Sequence, residues 1–358
     1  MGAMIDDSSY ERYARGMEER VRPALAACRK EGWLDPSAAE RRAGLEPAGG
    51  QLHYCAYDAA AFDALREDGA TGAFHGCIVI SHGFTEFAEK YDELAFYFLL
   101  AGYSVCVIDH RGHGKSARDV SDPALVWIDD WQRYAVDLAC FAQTVGQSYA
   151  SGQPLNLFAH SMGGGVGAAV LERHPMLFDK AVLSAPMVAP QTGMSMWLTR
   201  ALVSLVCACG LGRRRVMFQK EFDPAAPPDL SRYELSSEAR ERWYHKLRCE
   251  HEEYRTYCAS FGWVRQAMRL NRAILDRRAC SEVETPILLF QAGHDLWVRN
   301  KPQDEFIRRV RDGGCDARLV RIEDSEHEIF SMPNAVYRPY LEQILDFYAD
   351  PSVGAMDD

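Results

Sequence analysis

The chain has 358 residues, 47% of them hydrophobic and 25% charged, and carries a net charge of −11. Those proportions exclude a disordered, collagen-like or coiled-coil chain, and the acidic balance argues against a nucleic-acid partner, which calls for a basic field. At about 150 residues per domain, the length predicts two domains or one large domain with an insertion.

Residues 8–31 show apolar side chains at intervals of three or four: Tyr10, Tyr13, Met17, Val21, Leu25 and Cys28. With Ser8 and Glu11 at capping-box spacing, this predicts a helix, and residues 1–50 are taken as an N-terminal helical extension. After Gly49-Gly50, residues 51–57 read as a short β segment entering the main domain. From residue 76 the pattern alternates. Short apolar, β-branched runs lie at 77–80, 103–108, 154–159, 181–185, 286–291 and 317–322, and helical patterns separate them at 91–101, 128–146, 162–174, 302–312 and 339–349. Continuous apolar strands divided by helices predict an α/β fold, with a mostly parallel, doubly wound sheet covered on both faces. Ligands in such sheets bind beyond the carboxyl ends of the strands.

Residues 187–280 interrupt the alternation and are read as an inserted helical cap, leaving 51–186 and 281–350 as the core. Inside the insertion, 194–209 is strongly apolar and 238–258 is a charged helical pattern with a stripe at Trp243, Leu247, Tyr254 and Cys258. The apolar stretch is too short and too interrupted to span a membrane. Eleven cysteines are scattered, and Cys207 and Cys209, the closest pair, fit neither a zinc nor a redox spacing. They are read as reduced core thiols. Together with a charged N-terminus lacking an apolar leader, this predicts a cytoplasmic protein.

The chemistry lies at strand ends. The run 154–159 passes into Ala159-His160-Ser161-Met162-Gly163-Gly164-Gly165 and then a helical pattern. A serine on such a strand-to-helix turn projects its hydroxyl above the sheet, and the helix N-terminus supplies positive potential where an oxyanion forms. Serine alone is a poor nucleophile and needs a base held by an acid. Asp295 follows the run 286–291, and His327 follows 317–322, which supplies Ser161, Asp295 and His327 in the chain order this turn requires. His82-Gly83 follows the run 77–80 and directs the Phe84 N–H toward Met162 N–H as a two-donor oxyanion hole. The loop Asp109–Ser116 is read as structural. The remaining histidines make no metal-ligand set, so neither metal nor cofactor is expected.

These segments resemble an α/β-hydrolase of the monoacylglycerol lipase and lysophospholipase group. The resemblance rests on HGFTE (82–86), DHRGHGKS (109–116), AHSMGGG (159–165), LSAPM (183–187), QAGHD (291–295) and HEIF (327–330). Residues 91–116 are most similar to bacterial lysophospholipases of the L2 type. Ala159 stands where the elbow usually has glycine. The resemblance implies a serine ester hydrolase that cleaves a lipid-like ester through an acyl-enzyme. An acyltransferase or thioesterase would use the same residues, and a catalytically silent binding protein is the reading from another class. The apolar stretch suggests that Trp197, Leu202 and Leu205 hold an acyl chain, and that the cap makes transient contact with a membrane or micelle surface.

Overall fold

The computed structural model describes residues 4–62, 73–193, 195–217, 219–231 and 233–353. Its strands are β1 (Arg29–Leu34), β2 (Leu52–Tyr57), β3 (Gly76–Ser81), β4 (Tyr103–Ile108), β5 (Leu125–Val126), β6 (Leu155–His160), β7 (Lys180–Ser184), β8 (Cys258–Ala259), β9 (Ile287–His294) and β10 (Ala317–Glu326). Eight of them form one sheet in the order β1-β2-β4-β3-β6-β7-β9-β10. The β1–β2 and β2–β4 pairs are antiparallel, and every other pair in it is parallel. The fold is therefore the mostly parallel α/β sheet that the alternating pattern predicts.

Side chains alternate across the strands, so the sheet feeds two cores. Cys77, Val79, Leu157 and Ala159 pack beneath Tyr134, Leu138, Val166, Val170 and Phe306. Ile78, Ile80, Val105, Val107 and Phe158 face Leu94, Phe98, Tyr340, Ile344 and Phe347 on the other side. Connections from β3 lead to β4 on one flank, and the next long strand, β6, pairs on the other. That reversal opens a crevice at the carboxyl ends of β3 and β6, the usual ligand position in an open α/β sheet.

The N-terminal segment departs from the expected 8–31 helix in three ways. Ser9 is the cap, and its hydroxyl accepts from Arg12 N–H at 3.3 Å. A π turn over Met17–Val21 precedes Pro23, whose ring removes a helical donor. The helix then ends at Cys28, and Arg29–Leu34 becomes β1, the edge strand of the main sheet. Its sequence, RKEGWL, is polar and half-exposed, as an edge strand is, and it carries no apolar run to betray it.

Within 187–280 lie helices at Met196–Ala208, Glu238–Glu250, Phe261–Ala273 and Arg277–Ser281. The pattern expected to run helically to 258 stops at Glu250, and Cys258–Ala259 pairs instead with β5. None of the eleven cysteines is in a disulfide; Cys209 is exposed and Cys207, Cys249 and Cys315 are half-buried, so these four are not core thiols.

Candidate active site

Ser161 follows β6 directly and opens the helix Ser161–Arg173. Its φ is +51°, a left-handed conformation that costs a non-glycine residue roughly 1–3 kcal/mol. Tight packing enforces the turn. A Cβ at Gly163 would fall 2.2 Å from Ser81 O and 2.5 Å from His82 O, and one at Gly164 would fall 2.6 Å from the Pro186 Cβ. Gly163 thus lets the helix N-terminus press against the end of β3, and Gly164 lets it press against the segment after β7.

Asp295 and His327 meet because β9 and β10 are parallel neighbours and His294 pairs with Glu326 in their register. The next residue on each strand is therefore adjacent to its counterpart. Asp295 Oδ2 lies 2.7 Å from His327 Nδ1, and His327 Nε2 lies 2.7 Å from Ser161 Oγ. The second Asp295 oxygen, Oδ1, accepts the Trp297 and Val298 N–H groups, each at 2.8 Å. Both strands run further than their apolar cores suggest, β9 to His294 and β10 to Glu326, with a register shift between Ile322 and Glu326.

Burial would push the His327 imidazole down, but the Asp295 charge and hydrogen bond, with Glu328 and Glu86 nearby, outweigh it and hold the group above its ordinary value. Asp295 shifts the opposite way. Burial would raise its carboxyl, yet His327 and the two N–H donors keep it below the usual carboxylate range. An ionised Asp295 that accepts from Nδ1–H leaves Nε2 free to take a proton from Ser161.

Phe84 lies on the β3 exit and Met162, next to the serine, at the start of the helix. Among the described residues neither N–H is taken by an acceptor. The loop that carries Phe84 is fixed by His82, fully buried, whose Nδ1–H donates to Gly83 O at 2.7 Å while Nε2 accepts His110 N–H at 2.9 Å. Burial keeps that ring neutral by pushing its pKa down, which suits a strut with one donor and one acceptor. Asp109 serves the neighbouring loop: Oδ1 accepts Ala88 N–H at 2.7 Å, and Oδ2 accepts Lys115 N–H at 2.9 Å.

Trp197, Leu202 and Leu205 are placed differently from Ser161 and its partners. The helix Met196–Ala208 buries Thr199 and Val203, whereas Trp197 is 71% exposed, Leu202 47% and Leu205 63%. Leu198, Leu296 and Trp297 are also exposed; Met194 lies outside the described residues. An aromatic pair, Phe84 and Trp263 with ring centroids 4.1 Å apart, stands beside the crevice instead.

Glu86, Lys90 and Glu328, to which the sequence pattern assigns no role, form an ion network beside His327. The Glu86–Lys90 spacing of four residues was the available signal. Among the described residues, two clusters bring three ligand-type atoms within 4.8 Å: Glu31, His53 and Cys55, and Glu86, His160 and Glu328. Both already hold side-chain cations. Arg29 and Lys115 lie at Glu31, and the Lys90 ammonium lies between Glu86 and Glu328.

Comparison with known proteins gives the family and the fold. Residues 72–334 match the family described as serine aminopeptidase, S33. Lysophospholipase L2 of Escherichia coli (strain K12) is 29% identical over 285 residues, covering 76% of this chain and 79% of that protein. Monoacylglycerol lipase of Mycolicibacterium smegmatis is 32% identical over 120 residues, covering 34% of this chain and 41% of that protein. Among solved structures, a soluble variant of monoglyceride lipase from Saccharomyces cerevisiae superposes with a TM-score of 0.63 at 19% identity, covering 84% of this chain and 92% of that one. A carboxyl esterase from Bacillus coagulans gives a TM-score of 0.67 at 15% identity, covering 89% and 97%. With the family match extending over most of the sheet and across the insertion, the chain belongs to the serine aminopeptidase S33 family and has the α/β-hydrolase fold.

Proposed function

We propose that this protein is a carboxylic ester hydrolase that cleaves monoacylglycerols or lysophospholipids through an acyl-enzyme. The observation that carries the reading is the continuous line of hydrogen bonds from Asp295 through His327 to Ser161, each link 2.7 Å. In this reading Ser161 Oγ attacks the ester carbonyl while His327 Nε2 takes its proton. The carbonyl oxygen becomes an oxyanion held by Phe84 and Met162 N–H. His327 then protonates the departing alcohol, and a water activated by the same imidazole releases the fatty acid. Asp295 holds the imidazole's orientation and stabilises it when charged.

Residues 187–280 act as the cap over a core formed by 51–186 and 281–350. The exposed face of Met196–Ala208 supports transient contact with a membrane or micelle, where Trp197, Leu202 and Leu205 meet acyl chains. No helix among the described residues is long and apolar enough to cross a membrane. Free thiols at all eleven cysteines support a cytoplasmic setting.

The test is a substrate panel on the purified chain: monoacylglycerols and lysophospholipids of graded acyl length, matched thioesters, aminoacyl amides, and an alcohol acceptor added to each. Release of free fatty acid from the lipid esters, with little acyl transfer and little amide cleavage, is the expected outcome. Preferential amide cleavage or transfer to the alcohol would replace this reading.

A further inference from the structure

We propose that Lys90 is a positioning residue for this reaction, its ammonium tying the loop that carries Phe84 to the loop that carries His327 and to the cap helix Glu238–Glu250. The proposal rests on Ser161 and His327 acting as nucleophile and base. Lys90 Nζ lies 2.9 Å from Glu86 Oε1 and 2.6 Å from Glu328 Oε2, and its side chain is only 4% exposed. Glu86 closes the turn at the end of β3, because its Oε2 accepts Gly83 N–H at 2.5 Å and Tyr91 O–H at 2.6 Å. Glu328 is the residue after His327 and also accepts from Ser331 Oγ at 3.1 Å. The ammonium sits 4.2 Å from the Tyr244 ring centroid, and Tyr244 donates to Thr85 O at 3.2 Å. One cation therefore meets the oxyanion-side loop, the base-side loop and the cap.

A buried ammonium is retained only where its partners outweigh the loss of water, and two carboxylates and an aromatic face do so here. Burial opposes the charge on Lys90, but Glu328 and Glu86 hold it well above its ordinary value. The same cation sits between two of the carboxylates that face His327. Asp295 faces the imidazole from the end of β9, Glu86 from the end of β3 and Glu328 from its own loop. The His160 ring lies 4.9 Å away at the end of β6, and Glu241 approaches Glu328 and Lys90 from the cap helix. Without the ammonium, Glu86 and Glu328 would face each other unscreened. The turn at Gly83 would then loosen, and the negative field at His327 would grow.

The experiment compares Lys90→Met, Lys90→Arg and Glu328→Gln with the parent full-length chain. The active fraction of each is titrated with a fluorophosphonate, and kcat and KM for a short, soluble p-nitrophenyl ester are measured across pH. For Lys90→Met, kcat per titrated site should fall by about 10²-fold with little change in KM, because the oxyanion donor is misplaced. The acidic limb of its kcat/KM profile should also move up by about one pH unit. Lys90→Arg should recover most of both effects. Glu328→Gln removes a carboxylate beside His327 and should move the limb down. A Lys90→Met profile per titrated site that superimposes on the parent overturns the proposal. If Lys90→Met does not fold, an unmoved limb in Glu328→Gln does the same. A parent that takes no label at Ser161 instead overturns the underlying reading of the nucleophile.

Discussion

His327 Nε2 stands 2.7 Å from Ser161 Oγ, although 166 residues separate them in the chain. Two sheet registers create that closeness: β6 delivers the serine, and β10, paired with β9, delivers the histidine beside Asp295. The base must be neutral to accept the serine proton. Since Asp295 and its neighbours hold His327 above its ordinary value against the pull of burial, kcat/KM should rise with pH through a group titrating above 6.5. Asp295→Asn should lower kcat by about 10³–10⁴-fold and move that limb down. A pH–rate profile of the two proteins checks both effects.

Ser161 occupies left-handed backbone at φ +51°, so the turn opposes folding stability. Ser161→Gly should abolish turnover while raising stability by about 1 kcal/mol, because glycine adopts this conformation without a Cβ clash. Denaturant melts of the parent, Ser161→Ala and Ser161→Gly measure this, with alanine lacking the gain.

Those sites were legible because each follows a strand: β9 carries an unbroken apolar run, β6 is apolar from Leu155 to Ala159 apart from Asn156, and β10 shows Leu319, Val320 and Ile322 interspersed with arginines. Val79, Leu157 and Leu289 announce buried strands, and the residues after such strands necessarily gather at one edge. The rest was hidden for identifiable reasons. β1 is polar because one edge of it faces water, so its first residues, 29–31, read as the tail of a helix and the rest carries no strand signal. Lys90 immediately precedes the helical pattern at 91–101, where a lysine is ordinarily a solvated residue, and only the fold brings Glu328 to it. The apolar stretch 194–209 was evident, but which face of its helix is buried depends on the packing of Thr199 and Val203.

Arg240 joins the N-terminal segment to the rest of the molecule from the helix Glu238–Glu250. Its guanidinium lies 2.8 Å from Glu93 and 2.8 Å from Asp7, and it donates to Met332 O at 2.8 Å. With its side chain 4% exposed, Arg240→Met removes the cation from the buried Glu93 carboxyl and leaves it only the Tyr13 and Tyr97 hydroxyls, which should cost roughly 3–5 kcal/mol. Hydrogen exchange across Glu238–Glu250 and residues 5–16 should accelerate together. Acceleration in one segment alone would show that the two are not braced by this residue.

The exposed face of Met196–Ala208 predicts a dependence on aggregated substrate. Replacing Leu202 and Leu205 with Ser should weaken binding to anionic or zwitterionic vesicles and lower kcat/KM for long-chain esters. Short soluble esters should be spared. Each buried methylene contributes about 0.8 kcal/mol, so the parent's preference should climb with acyl length, and the double variant should flatten the climb. Chain-length series below and above the critical micelle concentration separate binding to a surface from binding of a single chain.

In the proposed reaction Ser161 carries the acyl group. Intact-protein and peptide mass spectrometry on the chain, quenched within milliseconds of mixing with a monoacylglycerol or a lysophospholipid, measures this directly. The account predicts one added acyl mass, located on Ser161 and absent from Ser161→Ala, appearing and decaying at rates that match fatty-acid release. An acyl mass on another residue, or fatty-acid release by Ser161→Ala at the parent's rate, would contradict it.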